Sequence, residues 1–297
     1  MAEKKRRSIW SKFAPKVSLA DWRLHPLTLF ILATVATIVG GIWLWQSNKS
    51  ELLDRTAFQL TSERLSVTPQ PEYMATDLKK AAFDGSQLAD VNLLDSDLVS
   101  KVHAAFSVHS WIRQVAVRKN RFGVDVELAF RKPVALVEFG DNLLLPVDQN
   151  GVVLDGADFN SKYADQLPRI SVESPQVGSL VHGDAWPDER IVAAVMIAEL
   201  ILPTAKEWGI LRIAHVPLTV GSIAPEGEFE FLTAAGNAGI RVLWGSPPGF
   251  ERLNEASPAQ KLETLGQWIS ERGSLADIGT TQTIDLRSGQ IKLVSSR

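Results

Sequence analysis

The sequence predicts an α+β protein with a single N-terminal transmembrane helix, a small strand-helix-helix-strand-strand module and a C-terminal antiparallel β-sheet domain with two packed helices. Three observations support this fold class. Residues 24–48 contain no Asp, Glu, Lys or Arg. The next segment, the small module, contains strand and helix patterns in alternation. The remaining segment contains short strand patterns and two helical patterns. The predicted segments are a basic tail at 1–23, a transmembrane helix at 24–48, a linker at 49–60, the small module at 61–132 and the β domain at 133–297.

The charges of the chain divide at the apolar run. The 297 residues have a net charge of −3; residues 1–23 hold seven basic and two acidic side chains, or +5, which leaves −8 for the remainder. A body with this charge does not favour broad binding to phosphate backbones, which depends on clustered Lys and Arg, although a local basic patch stays open. The absence of cysteine excludes disulfides, thiol nucleophiles and thiolate zinc sites.

The apolar run is predicted to be an uncleaved membrane anchor. Roughly 20 helical residues cover the ~30 Å hydrocarbon core, and Trp22, Trp43 and Trp45 stand where interfacial aromatic belts are expected. A cleaved signal peptide would have a shorter apolar core followed by small residues, and a buried core helix would not explain the charge difference. The basic end is expected in the cytoplasm, which places residues 49–297 outside it.

The small module begins with a strand at 65–68, which Pro69 and Pro71 end. Thr76 and Asp77 could cap a short helix that reaches residue 82, and a clearer helix opens at Asp95. A hairpin follows, in which apolar and polar residues alternate on both sides of a turn at 120–123.

The β domain combines short strands with two helices. The first helix is predicted at 188–208, where Pro203 should end or kink it. The second begins at the capping box Ser257-Pro-Ala-Gln260. The predicted strands cover 135–139, 143–147, 152–154, 168–172, 211–216, 228–232, 240–244, 283–286 and 291–294.

The motifs of common enzymes and cofactor sites are absent from the sequence. The five histidines are scattered without metal-ligand spacing, and there is no GxSxG, phosphate loop or GxGxxG before a helix. The nearest approach to a catalytic cluster is His182 with Asp184 and Asp188. The residue patterns therefore favour no catalytic centre, and we expect no cofactor or metal site.

A basic patch lies along the hairpin of the small module. Either it is a solvated face with ordinary cross-strand pairs, or it is a docking patch for an acidic partner or for phospholipid headgroups. The candidate docking residues are Arg113, Arg118, Lys119, Arg121 and Arg131.

Three stretches of the chain resemble the FtsQ and DivIB family of bacterial cell-division proteins. The first is Phe106-Ser-Val-His-Ser-Trp-Ile112 followed by Val115-Ala-Val-Arg118, which is similar to the end of the second helix of the family's POTRA module. The second runs from Val124 to Ala135 and continues with Leu145-Pro-Val-Asp-Gln-Asn-Gly-Val-Val-Leu154. The third comprises Val242-Leu-Trp-Gly245, the helix near Lys261, and Ile284-Asp-Leu-Arg287. The sequence departs from the family pattern at Ser110, Arg131, Lys132 and Ser288-Gly289.

The resemblance implies a non-enzymatic divisome scaffold in the inner membrane, with its ectodomain in the periplasm at the division septum. The implied partners are small single-pass coiled-coil proteins of the FtsB and FtsL type and other divisome membrane proteins, with no nucleic acid and no small-molecule substrate. The expected mechanism is β-augmentation, in which a partner strand completes an unpaired sheet edge. The candidate edge residues are Thr283, Asp285, Leu286, Arg287, Ile291 and Leu293, with Leu286, Ile291 and Leu293 as anchors.

Two other functions stay open. The same module could serve as a POTRA adaptor in envelope protein assembly or secretion, although such proteins normally continue into a transmembrane barrel. The chain could also be a membrane-anchored periplasmic hydrolase that uses the region of His182 and Asp184.

Overall fold

The computed structural model describes residues 26–53, 58–140, 143–178, 180–217, 227–233, 239–277 and 283–294. The chain divides into two compact units, Met1–Phe58 and Gln59–Arg297. The predicted basic tail at 1–23, with Trp22, lies outside the described residues, as does part of the predicted linker.

The first unit contains a long apolar helix, α1 (Pro26–Leu53). Its part Leu29–Asn48 is long and apolar enough to span a membrane. The hydroxyls of Thr34 and Thr37 donate to the carbonyls of Phe30 and Ala33 at 2.8 Å, so these polar groups are satisfied within the helix. The predicted helix is confirmed, but it continues past residue 48, because neither Gly nor Pro interrupts the chain there.

The second unit begins with a three-stranded sheet covered by two helices. Its elements are β1 (Leu65–Val67), α2 (Leu78–Gly85), α3 (Leu98–Ser107), β2 (Ile112–Lys119) and β3 (Val124–Phe130). The strand order is β1-β3-β2, with β1 parallel and β2 antiparallel to β3. The Asp77 carboxylate caps α2 by accepting the Lys80 N–H at 3.0 Å, as the sequence predicted. The apolar faces of both helices and the sheet share one core that contains the buried rings of Phe106 and Trp111.

An eight-stranded sheet forms the rest of the unit. Its strands are β4 (Pro133–Phe139), β5 (Leu143–Asp148), β6 (Arg169–Ser171), β7 (Arg212–Pro217), β8 (Gly227–Leu232), β9 (Arg241–Gly245), β10 (Thr283–Asp285) and β11 (Lys292–Val294). They lie in the order β11-β10-β9-β8-β7-β6-β4-β5. The predicted strand at 152–154 forms only isolated bridges.

The predicted antiparallel pairing of this sheet is wrong in part. The pairs β4/β6, β6/β7 and β9/β10 are parallel. Helices α4 (Glu189–Ile201) and α5 (Ala205–Trp208) connect β6 to β7, and α6 (Pro258–Arg272) connects β9 to β10. Each helical crossover returns the chain to the end of the sheet at which the preceding strand began, so the two strands that it joins run parallel.

Both long helices of this domain cover one core. Ile191 and Val195 of α4 and Leu265 and Trp268 of α6 pack in the same buried cluster as the strands. The predicted interruption at Pro203 is confirmed, because the helical pattern divides into α4 and α5 there. The predicted capping box at Ser257 and Gln260 is also confirmed.

Candidate functional site

The candidate site is the edge that β11 forms. β11 pairs with β10 in the register Thr283↔Val294, Ile284↔Leu293 and Asp285↔Lys292. Within the part of the chain that the structure describes, no strand pairs with its other side. All three residues of β11 are exposed. Such an edge presents unpaired N–H and C=O groups that another strand can complete.

The three predicted anchor residues lie in different environments. Leu293 is 60% exposed at the edge, and its register partner Ile284 belongs to the core. Ile291 is half-buried against the same core. Leu286 is fully buried, so its predicted role as an anchor for a partner does not agree with its position. Leu286 follows β10 directly and continues that strand's alternation into the core.

Asp285 and Arg287 form an ionic cluster with Glu228 of β8. The Arg287 guanidinium donates to both oxygens of the Asp285 carboxylate, at 3.0 and 2.8 Å, and to the Glu228 carboxylate at 2.9 Å. The hydrogen bonds from Arg287 hold the pKa of Asp285 below its ordinary value, and the bonds to Asp285 raise the pKa of Arg287. These two predicted site residues therefore fasten the end of β10 to the sheet.

A buried ion pair lies beneath this cluster. The Lys261 ammonium on α6 lies 2.7 Å from Glu255 Oε1 and 4.8 Å from the centre of the Trp244 ring. Burial opposes ionisation of Glu255, but hydrogen bonds from the Arg252 N–H, the Lys261 ammonium and the Ser246 N–H outweigh it and lower the pKa. Trp244 and Lys261, from two parts of the third stretch of the family resemblance, thus meet at one charge pair.

A loop of residues 247–256 joins β9 to α6 beside this pair, and no site was predicted there from the sequence. Phe250 is 69% and Leu253 is 93% exposed. Pro247, Pro248 and Gly249 indicate a loop in the sequence, but they do not indicate that its apolar side chains face solvent.

The basic patch on the hairpin of β2 and β3 is only partly free. Arg113 and Lys119 are exposed, whereas Arg118 pairs with Glu127 at 3.2 Å on the surface. The Arg121 guanidinium lies 4.6 Å from the centre of the Phe122 ring.

Arg131 does not belong to this patch. Its guanidinium lies 2.7 Å from the Asp148 carboxylate, and both side chains are largely buried. The predicted docking role of Arg131 does not agree with this pairing, because a largely buried guanidinium that binds Asp148 is not available to a partner. The pairing was not predicted, because Asp148 lies at the end of β5 and is distant from Arg131 in the sequence.

The predicted catalytic cluster is not assembled as one group. His182 and Asp184 line a shallow cleft with His109 and Ser110, and His182 Nδ1 lies 3.7 Å from Asp155 Oδ2. Asp188 is buried elsewhere in an ion pair with Arg190, at 2.7 Å. Among the described residues, no group of three or more His, Asp or Glu side chains could hold a metal ion.

No protein-family model matches this chain, and no curated protein does. The functional conclusion therefore depends on the sequence pattern and on the geometry of the β11 edge.

Proposed function

We propose that this chain is a non-enzymatic scaffold of the bacterial division machinery, of the FtsQ and DivIB type. In this proposal α1 anchors the protein in the inner membrane, and the ectodomain links division proteins at the septum. The partners are small single-pass coiled-coil proteins of the FtsB and FtsL type. The observation that carries the proposal is the β11 edge, which no other described strand pairs, in an α+β chain that has a helix of membrane-spanning length.

The order of elements supports the proposal. A membrane-length helix precedes a strand, two helices and a hairpin, and an eight-stranded sheet follows. The small module has the strand-helix-helix-strand-strand order expected of a POTRA domain. The charge asymmetry supports an N-terminus in the cytoplasm, because residues 1–23 sum to +5 and basic flanks stay on that side.

The mechanism we propose is strand addition to β11. A partner segment would donate and accept main-chain hydrogen bonds along Lys292–Val294, and its side chains would contact Leu293. Three residues provide few main-chain bonds, so side-chain contacts outside β11 must supply part of the affinity.

The proposed function is tested with the tagged full-length protein in its own cells. A fluorescent fusion is imaged during growth, and the tagged protein is purified from membranes with its partners. We expect a band at midcell and co-purification of small single-pass proteins with coiled-coil sequences. A uniform membrane distribution without such partners would contradict the proposal.

The mechanism needs a separate variant. Deletion of residues 289–297 removes β11, and we expect it to abolish co-purification while the ectodomain stays folded by circular dichroism. Lys80→Ala is the control, since this exposed side chain lies on α2 of the small module and belongs to neither candidate binding surface. If the folded deletion variant retains all its partners, strand addition is wrong.

A further inference from the structure

Phe250 and Leu253 are exposed on a loop that is held in one conformation. Isolated apolar side chains on a surface are ordinary and need no explanation. This loop differs because two backbone N–H groups bind the carboxylate of Glu255, which is buried in an ion pair. Glu255 accepts the N–H groups of Ser246 and Arg252 at 2.7 and 3.0 Å, and its own position is fixed by the buried Lys261 ammonium.

A second set of contacts fixes the middle of the loop. The Arg252 guanidinium donates to Glu228 at 2.8 Å, and the Phe250 N–H donates to the Pro247 carbonyl at 3.1 Å. Pro247 and Pro248 restrict the backbone further. The two apolar side chains are therefore presented by a pre-organised loop, which reduces the conformational entropy that a binding partner would have to overcome.

The loop packs against the turn that leads into β11. The Ala256 N–H donates to the Arg287 carbonyl at 2.8 Å, and a Cβ at Gly289 would lie only 2.8 Å from the Ala256 Cβ. Glu228 also binds both Arg252 of the loop and Arg287. The loop is thus in direct contact with the turn that precedes the edge strand.

An added strand that continues past Lys292 would run toward the turn that this loop contacts. One end of any strand paired with β11 lies beside Lys292, close in sequence to Gly289. Extended chain advances about 3.3 Å per residue, so roughly three further residues span about 10 Å. A carboxylate, Glu251, stands next to Phe250 and opposes insertion of the loop into an anionic lipid surface.

We propose that Phe250 and Leu253 form the second half of the partner-binding surface. The segment that pairs with β11 continues across residues 288–290, and its next apolar side chains pack on these two residues. This inference rests on the proposed strand addition to β11 and supplies the contacts that a three-residue strand lacks. The occupant is therefore an extended partner segment with apolar residues just beyond its pairing strand.

Photocrosslinking in the full-length protein tests the inference. The probe p-benzoylphenylalanine replaces Leu293, Leu253 or Phe122 in separate strains, and the adducts from dividing cells are identified by mass. Phe122 is the matched control, since it is 73% exposed on the turn between β2 and β3. We expect positions 293 and 253 to give adducts with the same partner, and position 122 to give none with it.

A substitution then measures the contribution of the loop. With the probe at 293, Leu253→Asp should lower the adduct yield roughly tenfold or more, because the partner loses the burial of one large apolar contact. Phe122→Asp should leave the yield within about twofold, as expected for a surface change without a binding role.

Each of the other outcomes contradicts the loop inference, the proposed occupant or strand addition. Adducts at 293 alone, or an unchanged yield in Leu253→Asp, overturn the loop inference and leave strand addition standing. An adduct at 253 with a second copy of this chain, or with lipid, overturns the proposed occupant. Absence of adducts at both 293 and 253 contradicts strand addition itself.

Discussion

The ammonium of Lys261 lies 2.7 Å from the carboxylate of Glu255, and the Lys261 side chain is fully buried. Removing two charges from water is costly, and only close pairing with further hydrogen bonds offsets the cost. Here Glu255 also binds the N–H groups of Ser246 and Arg252, so the pair fixes the loop conformation.

Lys261→Met should destabilise the Gln59–Arg297 unit by about 3–5 kcal/mol, because it leaves the Glu255 carboxylate buried and unpaired. The double variant Lys261→Met with Glu255→Gln should recover part of this loss. Urea unfolding followed by circular dichroism measures both values. If the single variant is as stable as the parent, Glu255 does not depend on this partner.

Gly245→Ala should destabilise the same unit more than Gly249→Ala. Both glycines have positive φ, +92° and +83°. A Cβ at Gly245 would collide with Glu255 Oε1 and approach Arg287, whereas the space around Gly249 is open. The backbone penalty alone is about 1–2 kcal/mol, and the collision adds to it only at Gly245. Equal losses in thermal unfolding would show that Glu255 moves aside freely.

Stability should fall as the pH decreases from 7 to 5. Burial lowers the pKa of His215 most, Arg190 lowers it further, and Asp188 raises it less. The folded state therefore binds this proton less readily than the unfolded chain, so His215 contributes stability above its ordinary pKa that is lost as the pH falls through the folded value. His215→Gln should reduce the difference in unfolding free energy between pH 7 and pH 5, while His103→Gln on the exposed face of α3 should not. An unchanged difference in His215→Gln would assign the effect to other groups, including His109, whose pKa burial also lowers.

Leu286→Ala and Leu293→Ala should separate stability from binding. Leu286 is fully buried, so its truncation should cost about 2–5 kcal/mol. Leu293 is exposed at the edge, and its truncation should cost under about 0.5 kcal/mol of stability but weaken partner co-purification. Unfolding titrations and co-purification from membranes are compared for the two variants. Loss of partner without loss of stability in Leu286→Ala would restore its predicted role as an anchor.

Local signals in the sequence predicted the local parts of the fold. The apolar run, the Asp77 cap, the capping box at Ser257 and the break at Pro203 each depend on a few neighbouring residues, and the structure confirms them. The parallel pairings were missed because strand order in a sheet depends on contacts far apart in the chain. The pairing of Arg131 with Asp148 and the burial of Leu286 were missed for the same reason. Leu293 lies exposed in the edge strand, as predicted, whereas Ile291 precedes β11 and is half-buried against the core.

The crossover through α6 has a consequence for the order of folding. α6 lies between β9 and β10 in the chain, so the parallel pairing of these two strands closes a loop that contains the whole helix, and β11 pairs with β10 in turn. Non-local parallel pairing of this kind is intrinsically slow. The edge is thus expected to form late in folding, after the neighbouring strands of the sheet have paired. A partner that binds β11 would consequently engage fully folded molecules and bypass partly folded ones.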